Sequence, residues 1–599
     1  MKERKDIDKQ YTWNLEVIYS SNKEFEDDYN KVKEMIKKLS KYETNMTDNS
    51  NNFYNTIKLS FEIERIIDKL YSFTSLSFDL DTSNNECQEL CEKIGNLHSD
   101  YVKISYFIVP SVLKCDKELI DKYSDEEVGL REYENNIKNI YRYKKHTLSD
   151  KEEKILSSIS KMMGNSYDSY ELFTDCDMSF DKIKDENGKE VELTNSNYSL
   201  YMENKDRDVR KNAFNTLYKE YKKYSNTISS LLSTNMKERT TISRISNYNS
   251  AIESSLYDDD ISLDVYNNLI DSVHNNINYI HDYYKLKKEI LGFDNLHLYD
   301  IYVPIVDDYD KKYSYEEAKD IILNVLNVFG EEYISKVKEA LDNRWIDVYP
   351  TKNKRSGGYS GGSYDAYPYI LLNYQDKYND MSTLIHEIGH SMHSYFSRKY
   401  NTYQDNQYRI FVAEVASTVN ELLLSKYMLE RSESKEEKLF ILNNLMELYR
   451  ATIYRQTMFA EFEKIISGMI DNDEALTADK LSSIYYDLNK FYFGDAVVVD
   501  DEIRYEWERI PHFYYNFYVY KYATGLSAAS VIVDNILSGK DGAVENYIEF
   551  LKCGDRKSPL ESLKIAGVDL TDKNVIDNAL REFKNVIEMY RAICKKETN

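Results

Sequence analysis

The chain's 599 residues include 103 acidic and 78 basic side chains, a net charge of −25. That excess of negative charge argues against a nucleic-acid or anionic-membrane surface, and the lack of any apolar run of about 18 residues argues against a membrane span. The N-terminal MKERKDIDKQYTWNLEVIY lacks the apolar core of a signal peptide. Six scattered cysteines (Cys87, Cys91, Cys115, Cys176, Cys553 and Cys594) read as free thiols in a reducing cytoplasm. Cys87 and Cys91 lie one helix turn apart, with no nearby second pair to complete a zinc cage.

From residue 22 to 175 the pattern is a succession of long amphipathic helices, broken by polar stretches such as TNMTDNSNN at 44–52. The chain has six prolines, with only Pro110 ahead of Pro304, so little interrupts them. Ser149-Asp150-Lys151-Glu152 is a capping box opening a further helix. MSFDKIKDENGKEVEL at 178–193 predicts a β-hairpin turning at Asn187-Gly188. It marks the expected boundary between an N-terminal helical lobe, residues 1–195, and a second lobe, residues 196–599. Helices resume near residue 204, and the few strands gather in 345–375. Within SGGYSGGSYDAYPYILLNY at 356–374, Tyr369 to Tyr374 has the composition of a strand, with Pro368 tolerable at a strand start or edge. As an edge strand it would pair with an extended peptide backbone, making Gly361, Gly362 and Tyr369 candidate substrate contacts. An internal strand behind a loose glycine loop is the other reading.

Next comes the most informative stretch, DMSTLIHEIGHSMHSYF at 380–396. The spacing predicts a helix starting at Asn379 or Asp380, either a good N-cap. Two histidines four apart, His386 and His390, lie on one face, where both imidazoles reach one metal ion. Glu387 projects beside that face, placed to polarise a water on the metal. H-E-x-x-H on a helix is the zinc-hydrolase arrangement. Leu384, Ile385, Ile388 and Met392 supply apolar contacts, and a histidine-rich stripe on such a helix is costly unless something satisfies it. Gly389 lowers helix propensity by about 1 kcal/mol; close approach of another backbone would explain it, as would simple packing.

A catalytic zinc takes three protein ligands and leaves one position for water. His393 sits one turn past His390, but three ligands from adjacent turns of one straight helix converge poorly on a tetrahedral ion. It suits a supporting or substrate contact better. In FVAEVASTVNELLL at 411–424, Glu414 is a lone carboxylate in a run that otherwise reads as buried, and buried carboxylates need a cation or strong hydrogen bonds. Glu414, Ser417 or Thr418, and Glu421 form one polar stripe. Glu414 is thus the expected third ligand, and Glu421 either bonds a ligating histidine or is an ordinary helix charge. Further on, helical spacing in HFYYNFYVYKY at 512–522 places His512, Tyr515, Tyr518 or Val519, and Tyr522 along one face. Such a hydroxyl-rich face suits hydrogen bonding to a developing oxyanion, although in a chain with 56 tyrosines neighbouring choices fit almost as well.

HEIGHSMH followed by FVAEVAS resembles the oligoendopeptidase F branch of the thimet-oligopeptidase-like zinc metallopeptidases, which place H-E-x-x-H on one helix and a glutamate ligand, in an E-x-x-S pattern, on the next. YTWNLEVIY, residues 356–374 and RIPHFYYNFYVYKYATG at 509–525 look like further segments of that family, so the resemblance covers the chain. It implies a mainly α fold, with two helical lobes around a deep substrate channel and a zincin-type core with a small β-sheet next to the metal helix. It also implies one Zn²⁺ per chain on His386, His390 and Glu414, Glu387 as general base then acid, and His512 with nearby tyrosines on the transition state. The expected activity is hydrolysis of internal bonds in short unstructured peptides. A different zinc hydrolase such as an aminopeptidase, or a non-catalytic helical peptide-binding protein, are the alternatives.

Overall fold

The computed structural model describes residues 2–160, 162–306, 309 and 311–595. It is 72% helical, as the long amphipathic runs predict. Local chemistry starts the helices. Asp206 caps the longest, α1 (Arg207–Ile245), through the N–H of Asp208, and Ser250 caps α2 (Ala251–Asp258) through that of Glu253. The H-E-x-x-H pentapeptide lies on α3 (Tyr378–Tyr400) and Glu414 on α4 (Ile410–Arg431). Two later helices used below are α5 (Arg455–Asp471) and α6 (Tyr520–Leu537). Among the described residues no helix is long and apolar enough to cross a membrane.

The chain forms two compact units, each from non-contiguous segments. One comprises Met1–Thr147, Asp310–Leu424 and Asn535–Gly567, the other Leu148–Tyr309, Ser425–Asp534 and Val568–Asn599. The division expected at residue 195 is therefore not the one that compactness makes. The reason is visible in the hairpin, β1 (Lys182–Lys184) with β2 (Glu190–Glu192), antiparallel around Gly188. Its inward side chain, Ile183, is buried. Beside it, Phe180 meets Tyr221 of α1 with ring centroids 5.9 Å apart, and Asp181 pairs with Lys219 of α1 at 2.8 Å. The hairpin thus packs onto the helix that follows it and cannot act as a hinge.

In the first unit the N-terminal helices share one core with a small sheet, in which Trp13, Phe53, Leu70, Tyr369 and Leu371 all take part. The strands are β3 (Ile346–Asp347), β4 (Tyr359–Gly361) and β5 (Tyr369–Leu371), in the order β3-β5-β4. β5 is parallel to β3 and antiparallel to β4, with Tyr359 opposite Leu371 and Gly361 opposite Tyr369. The strand preceding α3 is thus central and buried, and its neighbour from the glycine-rich stretch forms an edge. Gly362, just past that edge, has φ +146°, and a Cβ there would meet the Tyr367 carbonyl oxygen at 2.3 Å, so only glycine fits.

Candidate metal centre

Helix α3 begins at Tyr378 with Lys377 as its N-cap, two or three residues before the cap its sequence suggests. Asp380 is inside the helix, and its carboxylate accepts the N–H groups of Gln375 and Lys377, each at 2.9 Å. This fixes the entry to the helix and sends Ile385 and Ile388 into the core, both fully buried, while His386 and His390 stay partly exposed. Helix α4 crosses at the middle of α3. A Cβ on Gly389 would lie 2.6 Å from Ser417 Cα and 2.7 Å from the Ala416 carbonyl oxygen, so the glycine is where the two backbones touch. One turn further along α4, buried Asn420 donates to the Ile385 carbonyl at 3.1 Å. The contact and the bond lock α3 and α4 in one register.

That register brings three donor atoms together. His386 Nε2 and His390 Nε2 are 3.2 Å apart, and Glu414 Oε2 lies 3.4 Å from the first and 3.3 Å from the second. Among the described residues this is the one cluster of histidine, cysteine or acidic groups with the spacing to hold a metal ion. Glu414 is half-buried, with 38% of its side chain exposed. Its Oε2 accepts a hydrogen bond from Ser417 Oγ at 3.0 Å, one turn along α4. Glu421 Oε1, two turns along, lies 3.2 Å from His386 Nδ1, the geometry that fixes an imidazole tautomer with Nε2 free for a ligand.

The electrostatics call for a cation. Burial alone would lower the pKa of His386, but the carboxylates of Glu414 and Glu421 on its two nitrogens outweigh it and push the imidazole up to about 10. Partial burial would raise the pKa of Glu414, yet the two histidines hold its carboxyl well below the usual carboxylate range. Glu387 responds in the opposite direction. It is 6% exposed, and burial raises its pKa against the pull of His386 and His390, which makes its carboxylate a stronger base.

His393 is not part of the donor cluster. It is fully buried and stacks on Tyr408, with ring centroids 3.7 Å apart and planes 3° from parallel. Phe550 lies 5.2 Å away on centroids. Burial, with a smaller push from His390, lowers its pKa to about 3, so the residue expected to make a supporting or substrate contact packs as a neutral ring beside the donor cluster. Tyr369 is likewise a core residue: it is 0% exposed, and its hydroxyl donates to the Asn14 carbonyl at 2.6 Å. Gly361 lies in the edge strand β4, and the Gly362 carbonyl accepts a hydrogen bond from Arg398 at 2.6 Å.

The second unit holds the remaining candidates. Residues 511–514 form a 3-10 turn opened by Pro511, and α6 starts only at Tyr520. The single helical face expected over 512–522 is therefore absent, and a backbone reversal gathers the side chains. His512 lies 5.3 Å from Tyr515 and 6.2 Å from Tyr522, and Tyr518 lies 6.4 Å from Tyr515 and 5.4 Å from Tyr522, all on ring centroids. Burial, with Arg455 adding to it, lowers the pKa of His512 and keeps the imidazole neutral near pH 7. Tyr515, 40% exposed, shares a 2.8 Å hydrogen bond with the hydroxyl of Tyr167.

Comparison with known proteins decides the affiliation. The profile of Peptidase family M3 matches residues 200–582, and that of Oligopeptidase F matches residues 112–180. The chain belongs to peptidase family M3. It is 41% identical to Oligopeptidase PepF of Bacillus subtilis over 594 residues, covering 99% of this chain and 89% of that one. Among solved structures, one from Chlamydophila abortus superposes with a TM-score of 0.92 at 35% identity, covering 99% of this chain and 100% of that one. The oligoendopeptidase-F from Enterococcus faecium gives 0.76 at 32% identity, over 96% and 99% of the two chains. This M3 peptidase is accordingly a metalloendopeptidase. Two of the residues that build its centre escaped the sequence. Asn420 left a trace, as a second polar residue in the apolar run beside Glu421. Tyr408 left none, because its stacking on His393 is set by the fold of residues 401–409.

Proposed function

We propose that this M3 peptidase is a cytoplasmic, zinc-dependent oligoendopeptidase, with His386, His390 and Glu414 as the metal ligands and Glu387 as the proton carrier. One observation carries the metal. An ion bound tetrahedrally at roughly 2.0–2.1 Å has ligand–ligand edges of about 3.3–3.4 Å, and the three donor atoms stand 3.2, 3.3 and 3.4 Å apart. Two imidazoles and one carboxylate are also a donor set that zinc favours in hydrolases. Bound there, zinc would act as a Lewis acid, polarising the scissile carbonyl and lowering the pKa of a water.

The chain's own groups do the rest. Glu387 takes a proton from the attacking water as its oxygen bonds to the carbonyl carbon, and returns that proton to the amine nitrogen as the C–N bond breaks. His512 and the tyrosines around it donate hydrogen bonds to the oxyanion of the tetrahedral intermediate; the family resemblance supports this role, as does their convergence within the second unit. Glu421 and Ser417 hold His386 and Glu414 in place. Short peptides as substrates are supported by the oligopeptidase names of the relatives, and the cytoplasm by six cysteines that stand outside any disulfide.

An internally quenched peptide blocked at both termini tests the reading. Cleavage at an internal bond, lost on chelation and restored by about one equivalent of Zn²⁺ per chain, is the expected result. Failure to cut any peptide without a free α-amine would favour an aminopeptidase. Zinc-loaded protein that binds the peptide and never turns it over would favour a binding protein.

A further inference from the structure

The arrangement of residues 512–522 depends on a turn that its own sequence disfavours. Asn516 and Phe517 stand in succession in the left-handed region, at φ +56° and +57°. Asparagine tolerates this conformation, but phenylalanine, with its Cβ against the following carbonyl oxygen, does so only under strain. Phe517 is nevertheless 2% exposed, its ring set edge-on to Tyr266 with centroids 6.0 Å apart. Such strain persists only where the surroundings over-determine it.

Three side chains from three helices do so. Glu463 on α5, with no exposed side-chain surface, accepts the Phe517 N–H at 2.7 Å. Arg239 on α1 donates to the Tyr514 carbonyl and lies 3.7 Å from the Glu463 carboxylate. Ser255 on α2 donates to the Asn516 carbonyl at 2.7 Å. Backbone groups of Tyr514, Asn516 and Phe517 are therefore gripped from separate directions. The acid is costly where it stands. Burial pushes its pKa up to about 7 against the pull of Arg239, and its second oxygen has no hydrogen-bond partner among the described residues.

We propose that Glu463 and Arg239 are positioning residues for the transition-state donors: together they clamp the 516–517 reversal that sets His512, Tyr515, Tyr518 and Tyr522 against one another. This role rests on the function proposed above for His512 and its tyrosines. Because those donors act on the transition state, loosening the clamp reduces kcat and leaves KM nearly unchanged.

The test is kinetic. Glu463→Leu removes both the acceptor and the charge and is expected to lower kcat on the quenched peptide about 10- to 100-fold, the scale of a small misplacement of catalytic groups. KM should change less than about threefold, with metal content unchanged. Glu463→Gln keeps an acceptor for the Phe517 N–H and should recover kcat to within about threefold of wild type. Combined with His512→Ala, Glu463→Leu should add clearly less than it costs alone, because His512 is one of the groups the clamp holds.

Losses that multiply in the double variant would overturn the clamp. So would glutamine and leucine variants that both lower the melting temperature while the folded fraction keeps wild-type kcat. If Glu463→Leu does not fold, Ser255→Ala, which frees only the Asn516 carbonyl, carries the same test with a smaller expected loss of about three- to tenfold. A His512→Ala enzyme with wild-type kcat would overturn the role of the array and the clamp with it. A loss in His512→Ala beside no loss in Glu463→Leu would overturn the clamp alone.

Discussion

Glu387→Gln is expected to retain its metal and lose about 10³-fold in kcat, the middle of the range for removal of a general acid–base group. The substitution is nearly isosteric, so the packing that leaves Glu387 only 6% exposed stays in place. His386, His390 and Glu414 are untouched, and their mutual distances of 3.2–3.4 Å do not depend on residue 387. What disappears is a carboxylate whose pKa is raised by burial and held back only by the two neighbouring histidines. An amide cannot take the proton from water or return it to the leaving amine. Steady-state kinetics with a metal assay on the same sample would check both halves. Full endopeptidase activity in a zinc-loaded Glu387→Gln enzyme would rule out the proton-transfer scheme.

Gly389→Ala is expected to destabilise the protein by up to about 2 kcal/mol, the steric cost less the gain in helix propensity, and to weaken metal binding. Two effects oppose each other. Alanine in a helix interior is favoured over glycine by about 1 kcal/mol. Against this, the new methyl would stand 2.6 Å from Ser417 Cα and 2.7 Å from the Ala416 carbonyl oxygen. Both are backbone atoms of a helix locked by Asn420, so neither yields as a flexible side chain would. Overpacking of this kind costs about 1–3 kcal/mol and occasionally more, so the steric term wins. Helix α4 must move away from α3, and Glu414, which bonds Ser417 at the contact itself, moves with it. Denaturant unfolding and a competitive zinc titration would check the two consequences. A variant as stable as wild type, or more so, would mean that the two helices part without cost.

The pentapeptide was legible because its information is local. A spacing of four residues on a helix suffices to put two imidazoles on one face, and no distant segment is needed to see it. Glu414 was legible for a similar reason, as a carboxylate in the apolar run FVAEVAS. Gly389 left two explanations open, and the backbone of Ser417 decides between them. Where the sequence misled, a distant partner was responsible. Tyr369 has the composition of an edge strand, but β3 and β4 take both its sides and the N-terminal Trp13 packs over it, with ring centroids 5.8 Å apart. Residues 512–522 have helical spacing, but Arg239, Ser255 and Glu463 impose a reversal on them from helices 54 to 275 positions away in sequence. The boundary drawn at the hairpin failed for the same reason. Whether a hairpin separates or joins two bodies depends on where Ile183 is buried, and α1 determines that.

The central claim is that His386, His390 and Glu414 together hold one zinc ion, and it is tested most directly by zinc content. Wild type and Glu414→Ala would be purified side by side, dialysed against a weak competing chelator, and assayed for zinc per chain by mass spectrometry, with circular dichroism showing that both are folded. Wild type is expected to keep about one zinc per chain. Losing one of three protein ligands should cost more than about 100-fold in affinity, beyond the loss for a supporting residue, and leave the variant nearly empty. A folded Glu414→Ala protein that retains a full equivalent of zinc would contradict the assignment.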